Sequence, residues 1–533
     1  MTTLSLAHTR DREERNLDTK QTHQVPILHP FLIAAYPVVA LLAHNIEEVK
    51  TGVALRAMFV SLLIGWLVYL AFNRLYKDRA KAAVLTTLIL ALFYSYGHVY
   101  NALGQSTTLG LSLGRHRILA PIWIGTMVIS MIWAYRAKQP SSNWNRPLNL
   151  VAAIALALPL AQIGLFGWRS ISASTEAPGQ VSIAGLQLSP NQSPPDVYYI
   201  ILDAYARDDT LQDEFELDNT PFLSQMEGMG FYVARCSQSN YVQTQLSLAS
   251  ALNMDYLQSL DPAYSPGQKT RVGIEELIRH SVVRQALESL GYQTIAFETG
   301  FKGTQWEDAD IYLSPSIDLF HRLQIAGGPN GFEVMLLRTS AGLILADGAI
   351  ILPKVFQPDF DNPRKIHREL ILFDLEQLDA LPAMPGPKFV FAHLVIPHPP
   401  YVFGPNGEFT DYDKEYVPGY RDQVIYLNKR LLELLPRMIA NSTVPPVIIL
   451  QGDHGSIGSP PNKRTTIFNA YYLPDREKES TYESISPVNT FRLIFNTYFG
   501  GQYDLLEDVS YYSIYTDPFD FTVIPNKRPG CPS

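Results

Sequence analysis

The chain has 533 residues, 47% of them hydrophobic, a formal net charge of −9 and two cysteines. This length exceeds one ordinary domain, the acidic balance argues against a nucleic-acid partner, and no cysteine cluster exists that could bind zinc. A mean hydropathy near zero averages two unlike parts, of which the apolar one comes first. Residues 1–24 are polar and charged, with no apolar core beside a small-residue cleavage site, and read as a cytoplasmic tail rather than a signal peptide. Apolar stretches follow over 25–46, 57–72, 82–100, 118–135 and 148–168. Each is near the ~20 residues that cross a bilayer core, which predicts a membrane domain of about five transmembrane helices over 25–169.

The second stretch is the shortest of the five. Arg74, Lys77, Arg79 and Lys81 before the third stretch, and Arg136, Lys138 and Arg146 before the fifth, mark cytoplasmic loops. Arg115 and Arg117 are exceptions to that rule. The amino terminus is then inside and everything after Trp168 outside the cytoplasm, which for a bacterial cell means anchorage in the plasma (inner) membrane. His29, His44, Asn45 and His98 interrupt the apolar stretches, and ionisable groups at membrane depth are functional candidates. All four fall near the ends of the stretches, however, where polar side chains reach headgroups.

Residues 170–195 are small and polar with prolines at their end, which is linker composition. A second domain, 196–533, opens with a buried strand from Val197 to Leu202 that ends on Asp203. Thr220-Pro221 starts a helix that stops at Gly230, and Phe231 to Ala234 returns as a strand. Ser281 caps a helix to Leu290, "YQTIAFE" is a strand, "KFVFAHLVI" from Lys388 is another, and "YRDQVIYLNKRLLELLPRMI" has helical apolar spacing. Finally "PPVIILQGDHG" reads as a buried strand whose end carries Asp453 and His454. This alternation predicts an α/β domain with a mainly parallel central sheet covered on both faces.

In such a sheet the ligand crevice lies at the carboxyl ends of the strands. Asp203, Asp453 and His454 would therefore meet there, and two carboxylates with an imidazole suit one divalent metal ion, Mn²⁺ or Mg²⁺, with Zn²⁺ also accepted. Singly, each has a plainer use: a strand-end Asp caps the next helix, and a lone His is hydrogen-bonded. A further ligand is sought in "CSQSNYVQTQLSLASALN", where a loop becomes a helix. Thr244 is the choice, since a hydroxyl at a helix amino terminus sits at the positive end of the dipole. Ser239 and Ser247 are its competitors, and an ordinary N-cap threonine is the plainer reading. Cys236 and Cys531 both lie in this domain, so a disulfide is open to them.

Asp203 after the first strand, a threonine at a helix start, "PHPPY" and a late "GDHG" together resemble the alkaline phosphatase and sulfatase superfamily. Five spans followed by an exported domain look like its lipoteichoic acid synthase branch. The resemblance implies that Asp203, Thr244, Asp453 and His454 hold one metal and that Thr244 is the nucleophile. It also implies that His398 contacts the transferred group or leaving oxygen, with His393 sharing that task. Cys236 lacks the C/S-x-P-x-R setting of a formylglycine sulfatase, and no histidine follows His454 to complete a two-zinc site. In the synthases a substrate segment carries a Trp followed by an Arg; here Trp306 matches but is followed by Glu307 and Asp308, and the resemblance makes Lys302 the candidate compensating cation, with a packing Trp and a solvated Lys as the plainer reading. The implied function is a metal-dependent phosphotransferase taking a phosphoglycerol- or phosphoethanolamine-type headgroup from a membrane phospholipid donor. The acceptor would be an envelope glycan or polymer, and the route a phospho-threonine intermediate. A phosphodiesterase or sulfatase-like hydrolase of the same fold, and a non-catalytic envelope assembly protein, are the alternatives.

Overall fold

The computed structural model describes residues 26–104, 107–108, 111–112, 115–136, 142–173, 183, 185–188, 193–269, 271–315, 329–346, 362–410, 414–474 and 481–532. The expected tail 1–24, most of the expected linker 170–195, and Lys138 lie outside them. Among the described residues the chain forms two compact units, one from Met1–His44, Ala54–Gln162 and Phe332–Val355, the other from Asn45–Val53, Ile163–Gly331 and Phe356–Ser533.

The helices of the apolar part are α1 (His29–His44), α2 (Leu55–Tyr76), α3 (Arg79–Gly104), α4 (His116–Arg136) and α5 (Ser142–Ala173). Four of them, α2 to α5, are long and apolar enough to cross a membrane, and α1, with 16 residues, is shorter. This corrects the expected five spans. The shortest apolar stretch of the sequence belongs to a 22-residue helix, because polar flanks such as Arg56 and Asn73 continue it. The first stretch instead breaks after His44 into turns. Exposed Phe59, Leu67, Ile129, Trp133 and Leu158 give these helices apolar outer faces, as expected where lipid rather than protein covers them.

His29 is fully buried, with Nδ1 2.5 Å from the Thr87 hydroxyl and Nε2 3.3 Å from Asn145 Oδ1, while Asn149 Oδ1 accepts its backbone N–H at 2.8 Å. These bonds pin the start of α1 to α3 and α5, a structural use. His44 and His98 are exposed.

The first unit also includes a segment that the sequence reading assigned to the second domain. Gly331–Arg338 and Leu343–Ala346 are helical, Ala341 N–H donates to Phe93 O at 2.7 Å, and Arg56 pairs with Glu333 at 2.7 Å. At Gly97 a Cβ would stand 2.4 Å from the carbonyl oxygen of Arg338, so only glycine allows this approach. Two short helical turns carry too little periodicity to show in sequence where they pack.

In the second unit a seven-stranded sheet contains β1 (Val197–Leu202), β2 (Tyr232–Val233), β3 (Gln293–Phe297), β4 (Ile311–Leu313), β5 (Lys388–Leu394), β6 (Val447–Gln451) and β7 (Asn469–Tyr472). Their order is β2-β7-β6-β1-β5-β3-β4. The pairs from β6 to β4 are parallel, and β7 runs antiparallel to β6 and β2. The expected strands, and a mainly parallel sheet, are therefore present. Side chains alternate between two cores: Tyr198, Ile200 and Leu202 face Phe215, Leu427 and Leu431, while Val197, Tyr199 and Ile201 face Leu246, Phe491 and Ile494. Both faces are covered, which is why β1, β5 and β6 read as continuous apolar runs rather than alternating ones. Register sets the chemistry: Ile201 pairs with His393 on one side and Gln451 on the other. Asp203, His393 and Asp453 thus emerge at the same edge. Cys236 and Cys531 form a disulfide that ties the carboxyl terminus to the loop after β2.

Candidate metal centre and nucleophile

At the end of β1 the chain turns sharply through Ala204, whose φ of 64° lies in the left-handed region that a side chain disfavours. Its N–H donates to Asp453 Oδ1 at 2.9 Å and its carbonyl accepts the Tyr420 hydroxyl at 2.8 Å. Strain of this kind costs about 1–3 kcal/mol and persists only where the surroundings determine it. The end of β6 comes equally close: a Cβ on Gly452 would lie 2.5 Å from the carbonyl oxygen of Tyr205. The glycine in "GDHG" therefore lets two strand ends approach until their acids face each other.

Asp453 Oδ1 also accepts the His454 N–H at 2.9 Å, which leaves Oδ2 buried with no hydrogen-bond partner among the described residues, and Asp203 Oδ1 is in the same state. His454 Nδ1 donates to the Gly455 carbonyl at 2.7 Å, so Nε2 presents its lone pair. That nitrogen stands 3.7 Å from Asp203 Oδ1, 3.5 Å from Asp453 Oδ2 and 3.2 Å from the Thr244 hydroxyl. Ligand atoms of Asp203, Asp453 and His454 all fall within 4.8 Å of one another. Two buried carboxylate oxygens without partners are costly unless a cation compensates them. These residues fit a divalent metal.

Burial favours the neutral form of Asp203, yet His398, His393 and His454 together hold its carboxyl well below the usual carboxylate range. It is therefore an anion at neutral pH, ready as a ligand. His393 does more here than its position in the strand suggested. Its Nε2 lies 3.2 Å from Asp203 Oδ2 and its Nδ1 2.9 Å from the Thr304 hydroxyl, a chain that orients the carboxylate. Thr304 escaped the sequence reading because no local pattern marks a hydroxyl 89 positions from its partner. His398 reaches the site through its backbone, donating N–H to Asp203 O at 3.1 Å, and its Nδ1 is engaged by Pro399 O at 2.7 Å.

After helices α6 (Asp208–Phe215) and α7 (Thr220–Gly228), helix α8 (Thr244–Asn253) opens on the expected threonine. Of the three candidate hydroxyls, Thr244 is the one beside His454. Ser239 is fully buried with its hydroxyl directed at Thr465 O, and the hydroxyl of Ser247, one turn further along α8, is buried with no partner among the described residues. Trp306 is a correction. It is 0% exposed, stacked on Phe391 at 4.5 Å between ring centroids, so it is core rather than a substrate contact. Burial of such a ring is worth roughly 3–5 kcal/mol against truncation to alanine. Lys302 pairs with Glu275 at 3.4 Å. Its neighbour Gly303 packs against Gln245, the residue after Thr244, so tightly that a Cβ would lie 2.2 Å from Gln245 Nε2. The segment is near the site, but its ammonium already has a counter-ion.

No protein-family model and no curated protein matches the chain. Solved structures do. The lipooligosaccharide phosphoethanolamine transferase A of Neisseria meningitidis, an integral membrane protein, is 12% identical over 88% of this chain and 94% of its own, with a TM-score of 0.42. The zinc complex of the carboxyl-terminal periplasmic domain of EptC from Escherichia coli is 10% identical over 65% of this chain and 96% of its own, with a TM-score of 0.41. The lipoteichoic acid synthase LtaP of Listeria monocytogenes is 12% identical over 63% and 83%, with a TM-score of 0.37. None of the three decides which chemistry this chain performs.

Proposed function

We propose that this chain is a membrane-anchored, metal-dependent phosphotransferase that takes the headgroup phosphate of a phospholipid onto Thr244 and passes it to an envelope glycan or polymer. The observation that supports this most is the Thr244 hydroxyl at the start of α8, 3.2 Å from His454 Nε2, the nitrogen that also stands 3.7 Å from Asp203 Oδ1 and 3.5 Å from Asp453 Oδ2, both buried without a hydrogen-bond partner among the described residues. Asp203, Asp453, His454 and Thr244 would hold one divalent ion, Mn²⁺ or Zn²⁺, with Mg²⁺ also suited to the oxygen ligands. Such an ion supplies charge for a phosphoryl oxygen and lowers the pKa of a hydroxyl beside it.

The rest falls to the protein's own groups. The helix dipole of α8 favours an anion at Thr244. The bond from Thr244 Oγ to phosphorus forms as the phosphorus–oxygen bond to diacylglycerol breaks, and the threonine proton ends on the diacylglycerol oxygen. His398, its Nδ1 held by Pro399, contacts that leaving oxygen. A sugar or polymer hydroxyl then repeats the displacement in reverse. Positioning and charge neutralisation carry such transfers.

The assay is direct: full-length protein in mixed micelles of phosphatidylethanolamine or phosphatidylglycerol should release diacylglycerol. Addition of a carbohydrate acceptor should raise the rate and move the headgroup phosphate onto it. Release that needs no acceptor and ends in free headgroup phosphate would make the protein a hydrolase of the same fold. No release from either lipid would leave the non-catalytic reading.

The proposed location is a bacterial inner membrane with the sheet domain outside the cytoplasm. Four membrane-length helices support anchorage, and the Cys236–Cys531 disulfide supports an oxidising compartment. Reporter fusions should place the loop at Lys77 inside and residue Ser533 outside. A carboxyl terminus in the cytoplasm would overturn this location together with the lipid-headgroup reaction.

A further inference from the structure

Lys302, expected as the cation that neutralises the transferred phosphate, is paired with Glu275. Another cation stands in the right place. Arg464 follows His454 by ten residues, in a turn folded directly onto the "GDHG" loop. Gly455 N–H donates to Arg464 O at 2.7 Å, and a Cβ on Gly455 would lie 2.5 Å from Lys463 O. The Arg464 guanidinium spans the two halves of the site: Nε donates to the carbonyl of Val242, two residues before Thr244, at 3.2 Å, and Nη1 to that of Ile457, three after His454, also at 3.2 Å.

The turn itself is over-determined. Ser239 N–H donates to Thr465 O at 2.7 Å, Gln238 Nε2 to the Thr465 hydroxyl at 2.7 Å, and the Thr210 and Thr466 hydroxyls meet at 2.7 Å. A guanidinium carries five N–H donors; two are spent on carbonyl groups, and among the described residues none meets a carboxylate. The adjacent Lys463, by contrast, is paired with Asp213 at 2.6 Å. Although burial works against the charge of Arg464, Asp453 and Asp203 are among the anions whose field it feels, and an arginine stays protonated. A fixed, unpaired cation with free donors, bridging the nucleophile loop and the metal loop, is built to receive an anion between them.

We propose that Arg464 contacts a non-bridging oxygen of the phosphoryl group as it passes to Thr244. This rests on the phosphotransfer reading above.

The test uses full-length protein in mixed micelles, with phosphatidylethanolamine and phosphatidylglycerol and the two phosphorothioate diastereomers of each as substrates. Arg464→Ala should lower the turnover rate about 10²- to 10³-fold with metal content unchanged. Arg464→Lys should recover part of that loss, since it keeps the charge but not the fork. The wild-type protein should prefer one diastereomer, because sulfur at the contacted oxygen weakens the bond from the guanidinium. In both variants this preference should shrink, roughly 10-fold or more in Arg464→Ala. A variant that slows on both diastereomers alike, with the wild-type preference intact, would make Arg464 only a brace between loops and overturn the proposal. Wild-type rates, or loss of the metal, would overturn it too. A wild-type protein inactive on every diester fails one level higher, at phosphotransfer itself, and is thereby told apart.

Discussion

Thr244→Ala should abolish a covalent headgroup phosphate that the wild-type protein carries on the peptide containing residue 244 after incubation with phospholipid, as read by mass spectrometry. The expected loss of diacylglycerol release is about 10⁴-fold or more, the scale seen when a covalent nucleophile is removed and only binding and electrostatic groups remain. The substitution deletes a hydroxyl and a methyl at the first position of α8, with Gln243 before it in extended conformation, so the helix itself should persist. Thr244→Ser keeps the hydroxyl and should keep a measurable adduct. An adduct on Ser239 or Ser247 would preserve the reaction and move the nucleophile, although Ser239 is turned towards Thr465 O. Absence of any adduct while diacylglycerol is still released would overturn the threonine intermediate and point to direct attack by water or acceptor.

Asp453→Asn should strip the metal while leaving the fold in place. The amide oxygen can still accept the N–H groups of Ala204 and His454, which Oδ1 receives at 2.9 Å in both cases. What is lost is the charge at Oδ2. Removing an outer-sphere partner of a metal ligand typically costs 10- to 100-fold in affinity, so loss of a ligand charge should cost at least about 100-fold. Metal content by mass spectrometry should fall accordingly, and so should the rise in Tm on metal addition. For a protein bound at 100 times its dissociation constant that rise corresponds to about 2.7 kcal/mol. His454→Ala should behave alike, since with Nδ1 bonded to Gly455 O its Nε2 is the nitrogen that faces the two acids. Both variants retaining wild-type metal would mean that the two acids and the histidine serve only as caps of the strand ends.

The sequence by itself determined five of the seven sheet strands, β1, β2, β3, β5 and β6, whereas β4 and β7 came only with the structure. Apolar runs as in Val197–Leu202 and Val447–Gln451, bounded by acids, glycine and proline, are local signals, and so are the Thr220-Pro221 and Ser281 helix starts. Burial of both sheet faces then follows from continuous apolarity, and the convergence of Asp203 with Asp453–His454 follows from parallel strands. Tertiary structure decided everything that depends on side chains meeting across long separations. Three hydroxyls near one helix start are equivalent in sequence, and only Thr244 lies against His454, 210 positions away. A tryptophan reads the same whether it faces substrate or core, and packing against Phe391 put Trp306 inside. His393 became the partner of Asp203 through the register that sets it opposite Ile201, and a one-residue slip would have turned it to the other face. The return of Phe332–Ala346 to the helical unit, and Arg464 bridging Val242 and Ile457, are contacts for which no periodicity exists, because such pairings arise from complementary shape and charge rather than from spacing along the chain.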